Sequence, residues 1–548
     1  MRVIFTTLLL LGAIQPLLGQ QYHFTHNDTL RGSITPQRAW WDLAFYHLKV
    51  RLSPADSTLT GSNEIQYRVL SPEQTIQIDL QRSMRITRVE QDGQALAFRQ
   101  DGDAYFVSLV KKQEKGNRES LTVYYQGAPR VAKKAPWDGG FVYAKDAAGR
   151  PFIATACQGL GASSWWPCKD HPADEPDSMA ISITVPKPLT DVSNGRLRRV
   201  TENSDGTRTF DWFVANPINN YGVNLNAAVY EHWSETYAGL KGPLALNYYV
   251  LPEHLEAAKK QFQQVPLMLK AFEYWFGPYP FYEDGYKLVE VPYLGMEHQS
   301  SVTYGNLFKN GYLGRDLSAT GWGLKWDFII VHESGHEWFA NSITNKDEAD
   351  MWVHESFTNY SESLFTEYYH GKEAAAAYVI GCRKLIRNDR PVVGIYNVNH
   401  SGSGDMYYKG GNMLHMIRQL VNNDDKWHNL LLGLNKTFYH KTVSGAEVEA
   451  YMIQFTRLSL EKVFDQYLRD VRVPVLRYRF KNNQLQYQWT NCVAGFDMPV
   501  KVKLGNADQV LKPVAGEWKT APAKGATALV VDVNYYVKAA EDTTADQG

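Results

Sequence analysis

Residues 326–343 read Trp326-Asp-Phe-Ile-Ile-Val-His332-Glu333-Ser334-Gly335-His336-Glu-Trp-Phe-Ala-Asn-Ser-Ile343, an apolar stretch with helical spacing around an HExxH core. Two histidines four residues apart lie on one face of a helix, so both imidazoles can reach a single metal ion. Glu333 sits one residue round, where its carboxylate can take a proton from a water at that metal. Eighteen residues after His336 comes Glu355, in Trp352-Val-His-Glu355-Ser-Phe-Thr-Asn-Tyr360. Asn345 and the acidic pair Asp347-Glu348 mark a break between two helices. A second helix packed on the first can then present Glu355 to the same ion. Two His and one Glu leave a fourth position open, the arrangement of catalytic rather than structural zinc. His354 is the rival donor, but adjacent helical residues point about 100° apart, so it cannot replace Glu355 without turning the helix. Glu362, two turns beyond Glu355 on the same face, can orient a ligand histidine from behind.

Outward from this segment the chain changes character twice. Between about 42 and 235 the pattern has period two, as in Leu48-Lys-Val50-Arg-Leu52 and Ile181-Ser-Ile183-Thr-Val185, with turns at Gln91-Asp-Gly93 and Ser204-Asp-Gly206. Helical spacing takes over near 253, with a helix expected over 254–276, and persists to about 470. Alternation then returns, with Tyr478 and Phe480, an Asn482-Asn483 turn, and Leu485, Tyr487 and Trp489. The expected fold class is multidomain α+β. A signal peptide (1–20) precedes an N-terminal antiparallel β domain (21–235). A helical metal-bearing domain (236–472), a small C-terminal β-sandwich domain (473–538) and a disordered tail (539–548) follow.

Composition narrows the function classes. The 548 residues carry 57 basic and 58 acidic side chains, a net charge of −1, with 44% hydrophobic residues. Such balance argues for a globular protein and against a nucleic-acid binder or a polybasic membrane patch. Four cysteines exclude a disulfide framework; Cys157 and Cys168 are spaced so that bridged and free forms both stay open. Arg2 and the apolar run Val3 to Ile14 have the proportions of a cleavable secretory signal, with cleavage near Gly19 or Gln20. No later apolar run is long enough to span a bilayer. The chain is therefore expected to be exported, to a periplasm or to the outside. Its oligomeric state is not legible.

The spacing HExxH-eighteen-Glu, with Trp-x-x-Glu-x-Phe about the third ligand, resembles the aminopeptidase N family of gluzincins. That family includes the leukotriene hydrolase enzymes and cold-active bacterial aminopeptidases. Gly295-Met296-Glu297-His298 is similar to its Gly-x-Met-Glu-Asn segment, and Gln158 with Pro167-Cys168-Lys-Asp170-x-Pro172 to its Gln and Pro-Cys-x-Asp-x-Pro segments. Tyr407-Tyr-Lys409-Gly410 is similar to the segment that carries its catalytic tyrosine.

The resemblance implies a thermolysin-like catalytic domain holding one zinc ion on His332, His336 and Glu355. It implies a substrate peptide with a free N-terminus, gripped by Glu297 and Gln158 beside Gly295 and Met296, with Tyr407 as oxyanion donor and Glu333 as general base. Leu294 and His298 depart from the motif and bear on the shape of the first substrate pocket. The long helical C-terminal domain of larger members has no counterpart here, which suggests a short three-domain form. Rival readings are a zinc endopeptidase of the thermolysin kind, for which Glu297 would be incidental, and an epoxide hydrolase, for which no independent feature speaks. A β-rich surface binding protein with a vestigial metal site is a third, opposed by the intact Glu333.

Overall fold

The computed structural model describes residues 22–523 and 525–543. The expected signal segment, residues 1–20, lies outside the described residues. The N-terminal region is built on an eight-stranded sheet. In order across the sheet, its strands are Arg196–Glu202, Thr207–Val214, Ser178–Pro186, Trp41–Ser53, Thr58–Val69, Arg118–Gly127, Met84–Gln91 and Gln94–Ala95. Alternation decides which face is dry. Met179, Ile181, Ile183 and Val185 are buried while the residues between them are partly exposed. One pairing departs from the antiparallel expectation: Trp41–Ser53 runs parallel to Ser178–Pro186, with Leu48 opposite Ile181. A parallel pair needs a long crossover, and more than a hundred residues intervene here, including a three-stranded sheet and two strands of a four-stranded one. This region has its own apolar core. Cys157 and Cys168 are free and buried within it.

The next sheet belongs to the helical domain and contains, in order, Glu231–Gly239, Gly242–Val250, Tyr286–Glu290, Val302–Tyr304 and Gly295–Met296. The boundary expected at 236 therefore falls inside a strand that pairs along its whole length with Gly242–Val250. Period-two alternation says that a segment is a strand, not which sheet it joins. The single helix expected over 254–276 is two, Leu255–Gln261 and Gln264–Phe276. Pro266 supplies the reason. It lacks an N–H and is tolerated only in a first turn, so the helix restarts just before it. The helix at Phe328–Gly335 carries the HExxH segment and packs against the long helix at Trp352–His370. Between them the expected break at Asn345–Glu348 is present. Asn345 Nδ2 donates to the Asp347 carbonyl, and the Asp347 carboxylate caps the following turn at Ala349 N.

The C-terminal strands form a four-stranded sheet (Lys519–Pro522, Gln484–Thr490, Val475–Lys481, Lys538–Glu541) and a three-stranded one (Ala507–Leu511, Val500–Leu504, Leu529–Val531). Asn482 and Asn483 both take positive φ, the turn that a two-residue hairpin requires. The tail expected over 539–548 opens instead on a strand, and residues 544–548 lie outside the described residues. Lys538–Glu541 pairs in parallel with Val475–Lys481, and Asp542 N–H donates to the Tyr478 carbonyl. All four residues of that strand are exposed, so it carries no alternation to read. The apolar residues of these sheets join the core of the helical domain in one cluster.

Candidate active site

The HExxH helix is positioned by its N-cap residue, Asp327. The Asp327 carboxylate accepts from the Ile329 and Ile330 amides at 3.0 and 3.3 Å, satisfying two orphan donors of the helix start. It also accepts from Tyr304 OH (2.7 Å), Asn306 Nδ2 (2.8 Å) and Gln261 Nε2 (2.7 Å). His332 lies in the last turn and His336 immediately beyond it. The chain then makes a wide turn over Glu337–Asn341, in which Ala340 takes φ 155°, a region that L residues rarely occupy. Strain of this kind clusters at functional sites. Here it turns the Phe339 carbonyl toward the ring of His336.

Both imidazoles are fixed from behind. His332 Nδ1 donates to Glu362 Oε1 at 2.7 Å, and Glu362 also accepts from Asn359 Nδ2 (3.1 Å) and Tyr378 OH (2.6 Å). His336 Nδ1 lies 3.0 Å from both the Phe339 carbonyl and Thr358 Oγ1. These bonds leave both Nε2 atoms facing Glu355 Oε2, at 3.7 and 3.3 Å. The three ligand atoms lie within 4.8 Å of one another and all three residues are buried. Glu355 Oε2 is fully buried yet has no hydrogen-bond partner, while Oε1 accepts from Gln158 Nε2 at 3.3 Å. A lone pair left bare among two converging imidazoles is costly unless a cation meets it. The donor set, two nitrogens and one carboxylate with their far sides held, suits a zinc ion.

The electrostatics follow. Burial works against a charged His332, but the carboxylates of Glu355 and Glu362 beside it win and hold its pKa well above the usual value. Burial likewise opposes charge on His336, and Glu355 overrides it, raising the pKa to about 9. Glu355 is itself kept far below the carboxylate range, its burial outweighed by the two histidines. Burial raises Glu333 to about 7. His354 is no ligand, since its Nε2 accepts from Asn345 N–H at 2.8 Å.

A cavity of about 640 Å³ opens onto this cluster. Its walls include Gln158, Leu294, Gly295, Met296, Glu297 and both Tyr407 and Tyr408. Glu297 is buried, with ligand atoms of Glu297, Glu333 and His336 within 4.8 Å of one another. Its side chain accepts from Tyr221 OH at 3.1 Å, and its backbone carbonyl accepts from Asn341 Nδ2 at 2.8 Å. Gly295 is required by close approach. A Cβ there would meet Ile329 Cγ2 at 2.6 Å and the Thr303 carbonyl at 2.9 Å, displacing the HExxH helix. Gly410 plays the same part for the Tyr407 segment, since a Cβ would fall 1.9 Å from Ser356 Oγ on the Glu355 helix. The Tyr407 ring stacks 6.0 Å from that of His332. Burial and the nearby Glu355 and Glu297 raise its pKa, so the phenol keeps its proton.

The departures from the motif separate here. Leu294 lines the cavity, whereas His298 is absent from its walls and fully buried, with its pKa lowered to about 3 by burial. Gln158 touches Glu355 and lines the same cavity. Sequence reasoning missed Tyr221 and Asn341, which hold Glu297 from the N-terminal region and from the strained turn. No spacing signal leads to either.

The chain matches the model of the peptidase M1 N-terminal domain over residues 44–221 and that of the peptidase family M1 domain over residues 261–467. It is 24% identical to leukotriene A-4 hydrolase of Xenopus laevis over 322 residues, covering 56% of this chain and 50% of that protein. It is 25% identical to aminopeptidase B of Mus musculus over 368 residues, covering 63% of this chain and 52% of that protein. The chain thus spans about half the length of these curated relatives. In structure it resembles an M1 zinc metallopeptidase from Deinococcus radiodurans, with TM-score 0.65 and 22% identity, covering 79% of this chain and 94% of that one. A mutant of that protein bound to a Tyr-Ser-Ala substrate aligns with TM-score 0.66 and 22% identity, over 80% and 96% of the two chains. The two domain matches, one on the N-terminal strands and one on the HExxH region, show that the chain belongs to peptidase family M1.

Proposed function

We propose that the protein is a zinc aminopeptidase that hydrolyses the first peptide bond of peptides with a free N-terminus. His332, His336 and Glu355 would hold the ion. Zinc bound there supplies Lewis acidity, polarising a carbonyl oxygen and making a water molecule a stronger acid. Glu333, raised toward neutrality by burial, accepts a proton from the attacking water and returns it to the leaving amine. The Tyr407 phenol donates to the oxyanion that develops on the carbonyl oxygen. Glu297 accepts from the α-ammonium group, a charge-assisted pairing.

The observation that most supports an exopeptidase is Glu297, a buried carboxylate on the cavity wall beside Glu333 and His336. An internal peptide segment would cover that carboxylate without neutralising it, at a cost of roughly several kcal/mol. Free-amine aminoacyl chromogenic substrates are expected to be cleaved and their N-acetylated forms refused. Equal cleavage of both would return the protein to the endopeptidase reading. Glu333→Gln is expected to keep its zinc and lose about a hundred-fold or more in rate; unchanged activity would remove Glu333 as the base.

The protein is further proposed to be exported after removal of residues 1–20, on the strength of Arg2 and the apolar run that follows. Among the described residues no helix is long and apolar enough to cross a membrane. N-terminal sequencing of the mature protein tests the export proposal; an intact Met1 refutes it.

A further inference from the structure

The cavity that holds the metal-ligand cluster has charges of both signs on its walls. Four are the carboxylates of Glu297, Glu333, Glu355 and Glu362, and two are the cations Lys384 and Arg387. Three of the carboxylates are committed within the protein: Glu362 to His332 and Tyr378, Glu355 to the histidines and Gln158, and Glu297 to Tyr221. The two cations are not. Both are exposed, and among the described residues neither side chain makes an ion pair or a hydrogen bond.

Their backbone, by contrast, is braced from two directions. The Arg387 and Asn388 amides donate to the Asp405 carboxylate at 2.8 and 2.6 Å. Asp405 lies two residues before Tyr407, which ties the cation loop to the phenol of the site. On the other side the Arg383 guanidinium donates to the carbonyls of Val533 (2.6 Å) and Asn534 (3.1 Å) in the C-terminal β region. Its Nε donates to Asn412 Oδ1 at 2.6 Å. A loop held this way has little backbone entropy left to lose on binding an anion. The small C-terminal region thereby gains a role at the cavity, as the buttress of this loop.

We infer that Lys384 and Arg387 receive the C-terminal carboxylate of short peptides, so that the enzyme prefers oligopeptides a few residues long with a free C-terminus. The inference rests on the aminopeptidase reading, which puts the substrate's ammonium group on Glu297. A short peptide is a zwitterion, and this cavity offers a buried carboxylate for one pole and free cations for the other. Arginine suits the task, since its planar fork matches a carboxylate bidentately. The cavity of about 640 Å³ falls within the roughly 300–1,000 Å³ that encloses small ligands. Because one pole is fixed at Glu297 and the other on a braced loop, only a narrow range of lengths can reach both. Longer peptides pass the cations and lose the second anchor.

The test is a ladder of alanine oligomers from two to six residues, each as the free acid and as the C-terminal amide. At the best length the free acid is expected to exceed its amide by about ten-fold in kcat/KM, carried by KM with kcat unchanged, as for uniform binding energy. The ratio is expected to approach one for the longest oligomers, and to fall with added salt because the cations are exposed. In the Lys384→Gln, Arg387→Gln double variant the ratio is expected to collapse toward one at every length. Arg387→Glu is expected to invert it in favour of the amide. Equal rates for acid and amide at all lengths in the wild type, or a ratio that survives the double variant, would overturn the inference. Wild-type cleavage of an aminoacyl-nitroanilide, which has no C-terminal carboxylate, tests the underlying aminopeptidase reading separately.

Discussion

Glu362→Gln asks how much of the metal affinity is set behind the ligands. Glu362 is fully buried and accepts three hydrogen bonds, from His332 Nδ1 at 2.7 Å, Asn359 Nδ2 at 3.1 Å and Tyr378 OH at 2.6 Å. Glutamine has nearly the same shape. Its carbonyl can keep the His332 contact, and its amide can donate to the Tyr378 oxygen. What is lost is the negative charge that makes His332 a better electron donor. Removing such an outer partner typically weakens metal binding by about 10–100-fold, which is about 1.4–2.7 kcal/mol. Alanine would be a poorer probe. It would orphan three buried donors at about 1–3 kcal/mol each, enough to rival the whole stability of a domain. The assay is zinc affinity by competition with a chromophoric chelator, with kcat/KM at saturating zinc and Tm measured alongside. The expected outcome is weaker zinc binding with kcat/KM largely restored once the site is saturated. Unchanged affinity would show that Glu362 only packs. A full loss of rate at saturating zinc would mean that it acts on the reaction itself, refuting the positioning argument.

Asp327→Ala removes the acceptor for five donors at the start of the HExxH helix and is expected to cost about 3–5 kcal/mol, read as a lower Tm. Burial raises the Asp327 pKa to about 6. The native state therefore holds this proton more tightly than the unfolded chain, and stability from this group is lost as pH rises through that value. The pH slope of Tm should flatten in Asp327→Asn; an identical slope would remove Asp327 as its source. Tyr221→Phe deletes a phenol that holds the Glu297 side chain. A rise in KM of about five-fold with kcat kept is expected from the loss of one hydrogen bond, and an unchanged KM would show that Glu297 needs no such support. Chelation should abolish activity and lower Tm, and zinc at about a hundred times its Kd should return about 2.7 kcal/mol of stability. Survival of activity without metal would end the zinc mechanism.

That His332, His336 and Glu355 could meet at one point was legible in the sequence because the geometry is local. Two histidines at helical spacing need only one helix, and Glu355 needs only a second helix after a short break. The same holds for the Asn482-Asn483 hairpin, whose turn chemistry is written in two residues. The β region at the start of the chain was legible as strands, through alternation at Leu48–Leu52 and Ile181–Val185. Its parallel pair was not, since pairing partners more than a hundred residues apart leave no periodic trace. The strand at Lys538–Glu541 was invisible for a related reason: exposed on every residue, it has no pattern.

Sequence alone thus determined which residue types could meet a metal, and that one carboxylate beside them could take a proton. The tertiary structure decided what those residues touch. It set the Phe339 carbonyl on His336 through a strained Ala340, and Glu362 behind His332. It put a tyrosine 76 positions away on Glu297, and brought to the cavity that holds four carboxylates two cations unpaired among the described residues. Each of these contacts joins segments that only packing brings together. The physical reason is that side-chain periodicity is a property of one element, whereas a site is a property of several.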